Sequence, residues 1–150
     1  MRLRDFFDPR AVLLDLPGTT RDDVLAELPA ILGLDDRART SVHRLLQRRE
    51  QLGSTGIGRG VAVPHCRTLA VSRLRLAYGR HRAGIDFEAI DHKPVHHFFL
   101  IVAPPAEVAN QYLPVLAKIA QLAKEPDVPQ RLDALRTAEE FFELLDQKAV

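Results

Sequence analysis

The sequence holds one cysteine, one methionine and no tryptophan. A lone Cys66 has no partner for an internal disulfide, so the fold must stand without a covalent staple, and a reducing cytoplasm suits it. The chain also lacks a long apolar run. The longest, Phe98 to Ala106, is interrupted by Pro104 and Pro105 and falls well short of the roughly 20 residues that cross a bilayer. Met1-Arg2-Leu3-Arg4-Asp5 has no apolar core of the signal-peptide kind, so neither membrane insertion nor export is expected. An excess of one charge is missing too. Lys and Arg number 21 against 20 Asp and Glu, and a net charge of +1 creates no strong field for nucleic acid or an anionic membrane.

With 150 residues, 46% of them apolar, the chain can fill one sizeable core. The sequence shows no repeat, low-complexity tract or flexible linker, which favours one domain over residues 1–150. An extended start at Arg10 to Leu16 precedes a helix capped by Thr20 and ending near Leu32. A second helix, Ala38 to about Leu52, places Val42, Leu45, Leu46 and Leu52 on one stripe and is closed by Gly53. Gly53 to Gly60 reads as a loop and Val61-Ala62-Val63 as a short strand stopped by Pro64. Leu74 to Arg82 reads as a strand with one wetter face, and Asp86 to Pro94 as a polar connection. His96 to Val102 is a near-continuous apolar run, as expected of a central strand covered on both faces. Tyr112 to Lys124 is an amphipathic helix, and Thr137 caps a last helix through Gln147. Helices around strands imply an α/β fold with a sheet sandwiched by helices.

Chemistry concentrates between Gly53 and His65. Glycines at 56, 58 and 60 free the backbone to turn N–H groups toward an anion, and Ser54 and Thr55 add hydroxyls, so Ser54, Thr55 and Gly56 are candidate phosphate binders. Pro64 restricts its own φ and that of Val63, giving the His65 side chain a defined exit from the strand end. The loop has neither the Gly-Lys-Ser/Thr ending of a Walker A sequence nor dinucleotide GxGxxG spacing, so a nucleotide is not implied. On the second helix, at about 100° per residue, Arg49 falls within the apolar stripe while Arg44 and Arg48 point outward. A guanidinium on that face needs an anion: a phosphoryl group on His65, or a structural carboxylate in the neighbourhood of Glu50 or at Asp91.

Arg49-Glu50 followed by Gly53 to His65 closely resembles the active-site signature of phosphotransferase-system enzyme IIA domains of the fructose, mannitol and nitrogen-regulatory group. In that family the pattern reads Ser-Thr-Gly-Ile-Gly-x-Gly-Ile-Ala-Ile-Pro-His, from which Val61 and Val63 depart conservatively. Ile85 to Val95, followed by Phe98 to Pro104, is similar to the family's link between two strands. The resemblance implies a mixed β-sheet flanked by helices and a phosphotransferase component that forms a phosphohistidine intermediate. By it, His65 accepts the phosphoryl group from a small histidine phosphocarrier protein, Arg49 contacts it, and no cofactor takes part. A layout without a fused cysteine-bearing IIB or membrane IIC portion looks most like the nitrogen-regulatory branch, where phosphorylation state signals to regulatory target proteins. The alternatives are a sugar-specific IIA component that passes phosphate to a IIB cysteine, and a binding module no longer phosphorylated.

Two positions depart from the family pattern. Tyr112-Leu113-Pro114-Val115-Leu116 replaces a common His-Leu-x-x-Leu, putting a hydroxyl at a helix start where a second imidazole is usual. Tyr112 either donates to phosphate or packs on Leu116 and Ile119. Cys66-Arg67 replaces Gly-Lys, and the alternation of an extended segment turns Cys66 away from His65. Metal binding is not expected: Pro94 between His92 and His96 forbids a helical pair, His96 and His97 face opposite sides, and His43 and His81 sit among arginines on solvated faces.

Overall fold

The computed structural model describes residues 1–107 and 109–150. After a 3-10 turn at Leu3–Phe6 come β1 (Phe7–Leu13), α1 (Arg21–Ile31) and α2 (Asp36–Gln51). Three short strands follow, β2 (Gly56–Gly58), β3 (Val61–Ala62) and β4 (His65–Arg67), and then two long ones, β5 (Arg75–Ile85) and β6 (Val95–Ala103). The chain closes with α3 (Tyr112–Lys124), α4 (Val128–Asp133) and α5 (Ala138–Gln147).

Local chemistry sets the helix starts. Thr20 and Asp23 form a reciprocal capping box at α1, and Thr137 and Glu140 form one at α5. The Asp35 carboxylate accepts from Ala38 N–H at 2.8 Å to start α2. At α3 no residue caps from the usual position. Instead Glu107 folds back, and its Oε1 accepts from the backbone N–H groups of Gln111 and Tyr112.

The six strands form one mixed sheet in the order β1-β5-β6-β3-β2, with β4 also paired to β6. β5 and β6 run antiparallel at its centre, β1 lies parallel to β5, and β3 and β4 both lie parallel to β6. The register is continuous across these two: Ala62 pairs Phe98 and His65 pairs Ile101, the same offset on either side of Val63-Pro64. β3 and β4 are thus one strand interrupted by a residue with no N–H to give. Gly53 to Gly60, read from the sequence as loop, contains β2, which folds back antiparallel on β3.

β5 also differs from the wetter strand expected. Every residue from Leu76 to His81 is buried, because helices cover both faces. On one side Leu16, ahead of α1, and Leu28, within it, approach Gly79 so closely that a Cβ there would lie 2.9 and 3.0 Å from their methyl carbons. On the other, Tyr78 stacks on Phe141 of α5 with ring centroids 4.5 Å apart. Arg80 is buried by its use as a clamp, with Nε donating to Leu14 O and Nη1 to Leu132 O and Leu135 O. His81, expected on a solvated face, is buried as well, its Nε2 donating to Gly18 O at 2.6 Å.

His97 on β6 lies between two groups. Its Nε2 stands 3.0 Å from Asp133 Oδ1, and since a carboxylate only accepts, Nε2 carries the proton. Nδ1 then accepts from the Tyr78 hydroxyl at 2.8 Å. Burial, against the pull of Asp133, holds the imidazole below its usual pKa, so it is neutral in the fold. Below about pH 6.5 the unfolded chain binds a proton here that the fold refuses. Stability is therefore complete above that pH and falls as pH drops, by up to about 1.4 kcal/mol per unit for one such group. Urea denaturation between pH 7 and pH 5 is expected to show this loss and a shallower one in His97→Gln; equal slopes would acquit His97.

Candidate functional site

Two consecutive residues at the end of α2 build the site. Glu50 continues the row Val42, Leu46 at four-residue spacing and is buried, 4% exposed. Its carboxylate accepts from both the N–H of Thr55, at 3.1 Å, and the Thr55 hydroxyl, tying the loop down onto the helix. Desolvation raises its pKa, and the two Thr55 donors oppose that. Arg49 is only half-buried, so the polar group at the bottom of the stripe is Glu50, whose carboxylate goes to Thr55 and not to Arg49. Leu52, placed on that stripe by periodicity, is 85% exposed because the helix has ended and the chain has turned. Its place eight residues after Val42 sets Glu50 on the buried face of α2, a position glutamate seldom takes.

Ser54 Oγ donates to Phe87 O at 2.5 Å and accepts from Gly56 N–H at 3.0 Å. Gly56 needs to be glycine because a Cβ would sit 2.7 Å from that of Ala89. The Ser54 and Thr55 hydroxyls and the Gly56 N–H are thus all engaged within the protein.

His65 begins β4 and is partly exposed. Its Nδ1 lies 2.8 Å from Val63 O, and a carbonyl only accepts, so Nδ1 bears the hydrogen and Nε2 keeps its lone pair. Arg49 Nε points at that Nε2 from 3.4 Å, while Arg49 Nη1 is held by Gly53 O at 2.8 Å. Burial, together with the Arg49 charge, lowers the His65 pKa against the raising effect of the Val63 bond. The result at neutral pH is an uncharged imidazole with an outward lone pair beside a fixed cation.

Tyr112, the first residue of α3, meets the His65 ring edge-on at a centroid distance of 5.9 Å, and the Arg67 guanidinium covers its other side at 4.2 Å. Burial pushes the Tyr112 phenol up to about 12, so it remains a hydrogen-bond donor and no base. Cys66 turns inward, its thiol pushed up to about 12 by burial, which leaves it without nucleophilic thiolate. Asp91, the alternative partner for Arg49, instead accepts from Arg59 N–H and Lys93 N–H. Among the described residues no three His, Cys, Asp or Glu side chains gather around a potential metal position. Nor is any described helix long and apolar enough to cross a membrane.

A family model described as phosphoenolpyruvate-dependent sugar phosphotransferase system, EIIA 2, matches residues 5–148. The chain belongs to this enzyme IIA family. Within it, a nitrogen regulatory protein of Bradyrhizobium diazoefficiens is 34% identical over 149 residues, spanning 97% of this chain and 95% of the relative. Another from Pseudomonas aeruginosa is 31% identical over 97% and 95% of the two chains. The crystal structure of nitrogen regulatory protein IIA-Ntr from Neisseria meningitidis superposes with a TM-score of 0.85 at 30% identity, over 94% of this chain and 97% of that one. The mixed sheet flanked by helices expected from the resemblance is the fold observed.

Two measurements test this reading of the enzyme IIA site. Imidazole 15N NMR is expected to find His65 protonated on Nδ1 and titrating below 6.5, with the midpoint rising in Arg49→Gln as the neighbouring charge is removed. A Nε2-protonated tautomer would contradict the geometry. Glu50→Ala strands two buried donors of Thr55, and denaturant unfolding is expected to register a loss of about 2 kcal/mol; a loss below about 0.5 kcal/mol would show that Glu50 does not hold the loop.

Proposed function

We propose that this enzyme IIA chain accepts a phosphoryl group on Nε2 of His65 from a histidine phosphocarrier protein and signals its phosphorylation state to regulatory partners in the cytoplasm, residues 1–150 acting as one unit. The observation that carries this reading is the Nδ1–H bond to Val63 O, which presents the Nε2 lone pair beside Arg49. In the step, that lone pair attacks phosphorus in line with the carrier's N–P bond. The Nε2–P bond forms as the donor bond breaks, and the electron pair leaves with the carrier's imidazole. The phosphohistidine ring so formed has both nitrogens substituted, and Val63 O stabilises the positive charge shared through Nδ1–H.

Arg49 offsets the charge spreading over the equatorial oxygens, already oriented by Gly53 O before the reaction begins. Tyr112, its ring edge-on to His65, adds a phenol that burial keeps protonated. Ser54, Thr55 and Gly56 form the bed, and because Phe87 and Glu50 already hold them, their contribution is a backbone that need not reorganise. The group arrives as phosphohistidine, so no nucleotide is consumed. Similarity to nitrogen regulatory proteins along nearly the whole of both chains supports signalling over sugar uptake.

Incubation with phosphoenolpyruvate, enzyme I and the phosphocarrier is expected to produce acid-labile phosphohistidine in wild type and none in His65→Ala. Arg49→Ala is expected to slow labelling by roughly 10²-fold with an unchanged unfolding midpoint. No label on wild type would leave the non-phosphorylated binding module standing, and onward transfer to a IIB cysteine would favour the sugar-specific role.

A further inference from the structure

The outer face of α2 has no role in the site just described. Most arginines of the chain are engaged: Arg82 pairs with Asp15, and Arg67, Arg75 and Arg80 donate to backbone carbonyls. Five make no side-chain hydrogen bond or ion pair among the described residues, namely Arg37, Arg44, Arg48, Arg73 and Arg136. Three of these five lie on one exposed face of α2, spaced seven and then four residues apart, a straight stripe of roughly 16 Å at 1.5 Å per residue. With Thr40, Ser41 and Leu45 they line a shallow groove of about 530 Å³.

This arrangement works against the isolated helix. Arg44 and Arg48 are like charges one turn apart, and Arg37 sits in the first turn, where the helix dipole already presents positive charge. The two carboxylates of α2 do nothing to relieve it, since Asp36 engages Arg39 and Glu50 is buried against Thr55. The stripe also adjoins apolar surface, half-buried Leu45 on its flank and Leu52, 85% exposed, at its end.

We propose that this face docks an acidic amphipathic segment of a partner protein, its carboxylates on Arg37, Arg44 and Arg48 and its apolar residues against Leu45 and Leu52. Charge complementarity selects the sign of the partner, and the adjoining leucines select a protein over a nucleic acid. Three arginines on a chain of net charge +1 give little counterion release and no long-range attraction for a polyanion. The surface is distinct from His65 and stands whether or not that residue is phosphorylated.

The test titrates the full 15N-labelled chain with a synthetic helical peptide carrying glutamates on one stripe and leucines beside it. A glutamine version of the peptide, a DNA duplex and phosphatidylglycerol vesicles serve as comparisons. Shifts are expected at residues 37–52, with affinity falling several-fold from about 50 to about 300 mM salt and about tenfold in Arg37→Glu/Arg44→Glu/Arg48→Glu. Arg73→Glu/Arg136→Glu is expected to bind as wild type does. Arg44→Glu alone, which turns a like-charge pair into an opposite-charge one, is expected to raise the thermal midpoint while weakening the peptide. The proposal is overturned if the two control arginines matter as much as the stripe, if the shifts centre elsewhere, or if DNA or vesicles bind more tightly than the peptide.

Discussion

The parallel pairing of residues 61–67 with β6 is the constraint on which the site rests. β6 is buried almost throughout and cannot shift without repacking both faces of the sheet. The segment paired to it inherits that rigidity, and its register survives the proline. At the break, Pro64 O still accepts from Ile101 N–H at 3.0 Å while Val63 O turns toward the ring of His65. A two-residue break in a ladder thereby becomes a tautomer: the carbonyl that takes the Nδ1 proton determines which nitrogen faces outward.

Around this the charges are divided by burial. Glu50 and Arg49 are neighbours on α2, yet they do not pair. The carboxylate is committed to Thr55 in the interior, and the guanidinium is committed to Gly53 O and the imidazole at the edge. Had they joined, the loop would lose its anchor and the site its cation. Glu107 makes a similar division at α3 by satisfying the first N–H groups of that helix from within. The dipole end beside Tyr112 is therefore already occupied by an internal anion, and positive character at the site comes chiefly from Arg49, with Arg67 above the tyrosine ring.

Stability and display pull apart elsewhere in the molecule. Arg80 is buried to hold the β1 and α4 ends together, and His97 is buried neutral between Tyr78 and Asp133, both at the cost of desolvation met by several hydrogen bonds. Arg37, Arg44 and Arg48 along α2 show the opposite pattern, exposed and with no side-chain partner among the described residues. Arg80 thus works as an interior cross-link, whereas Arg2, Arg4, Arg10 and Arg82 pair with carboxylates at the surface.

The sequence by itself determined the elements with strong local causes: α1 and α5 through their capping boxes, β6 through its near-continuous apolar run, and the motif from Ser54 to His65 that marks the family. It also separated Cys66 from His65, because alternation along a strand is a local rule. It did not disclose that Glu50 lies beneath the loop, that Leu52 faces water, or that His81 and the polar side of β5 are covered, since each depends on what packs from a distant part of the chain. Which nitrogen of His65 keeps its lone pair was likewise beyond it. Periodicity reports how a residue is oriented relative to its neighbours in sequence; only the tertiary structure decides which carbonyl, carboxylate or helix meets it there, and hydrogen bonding and desolvation act through those meetings.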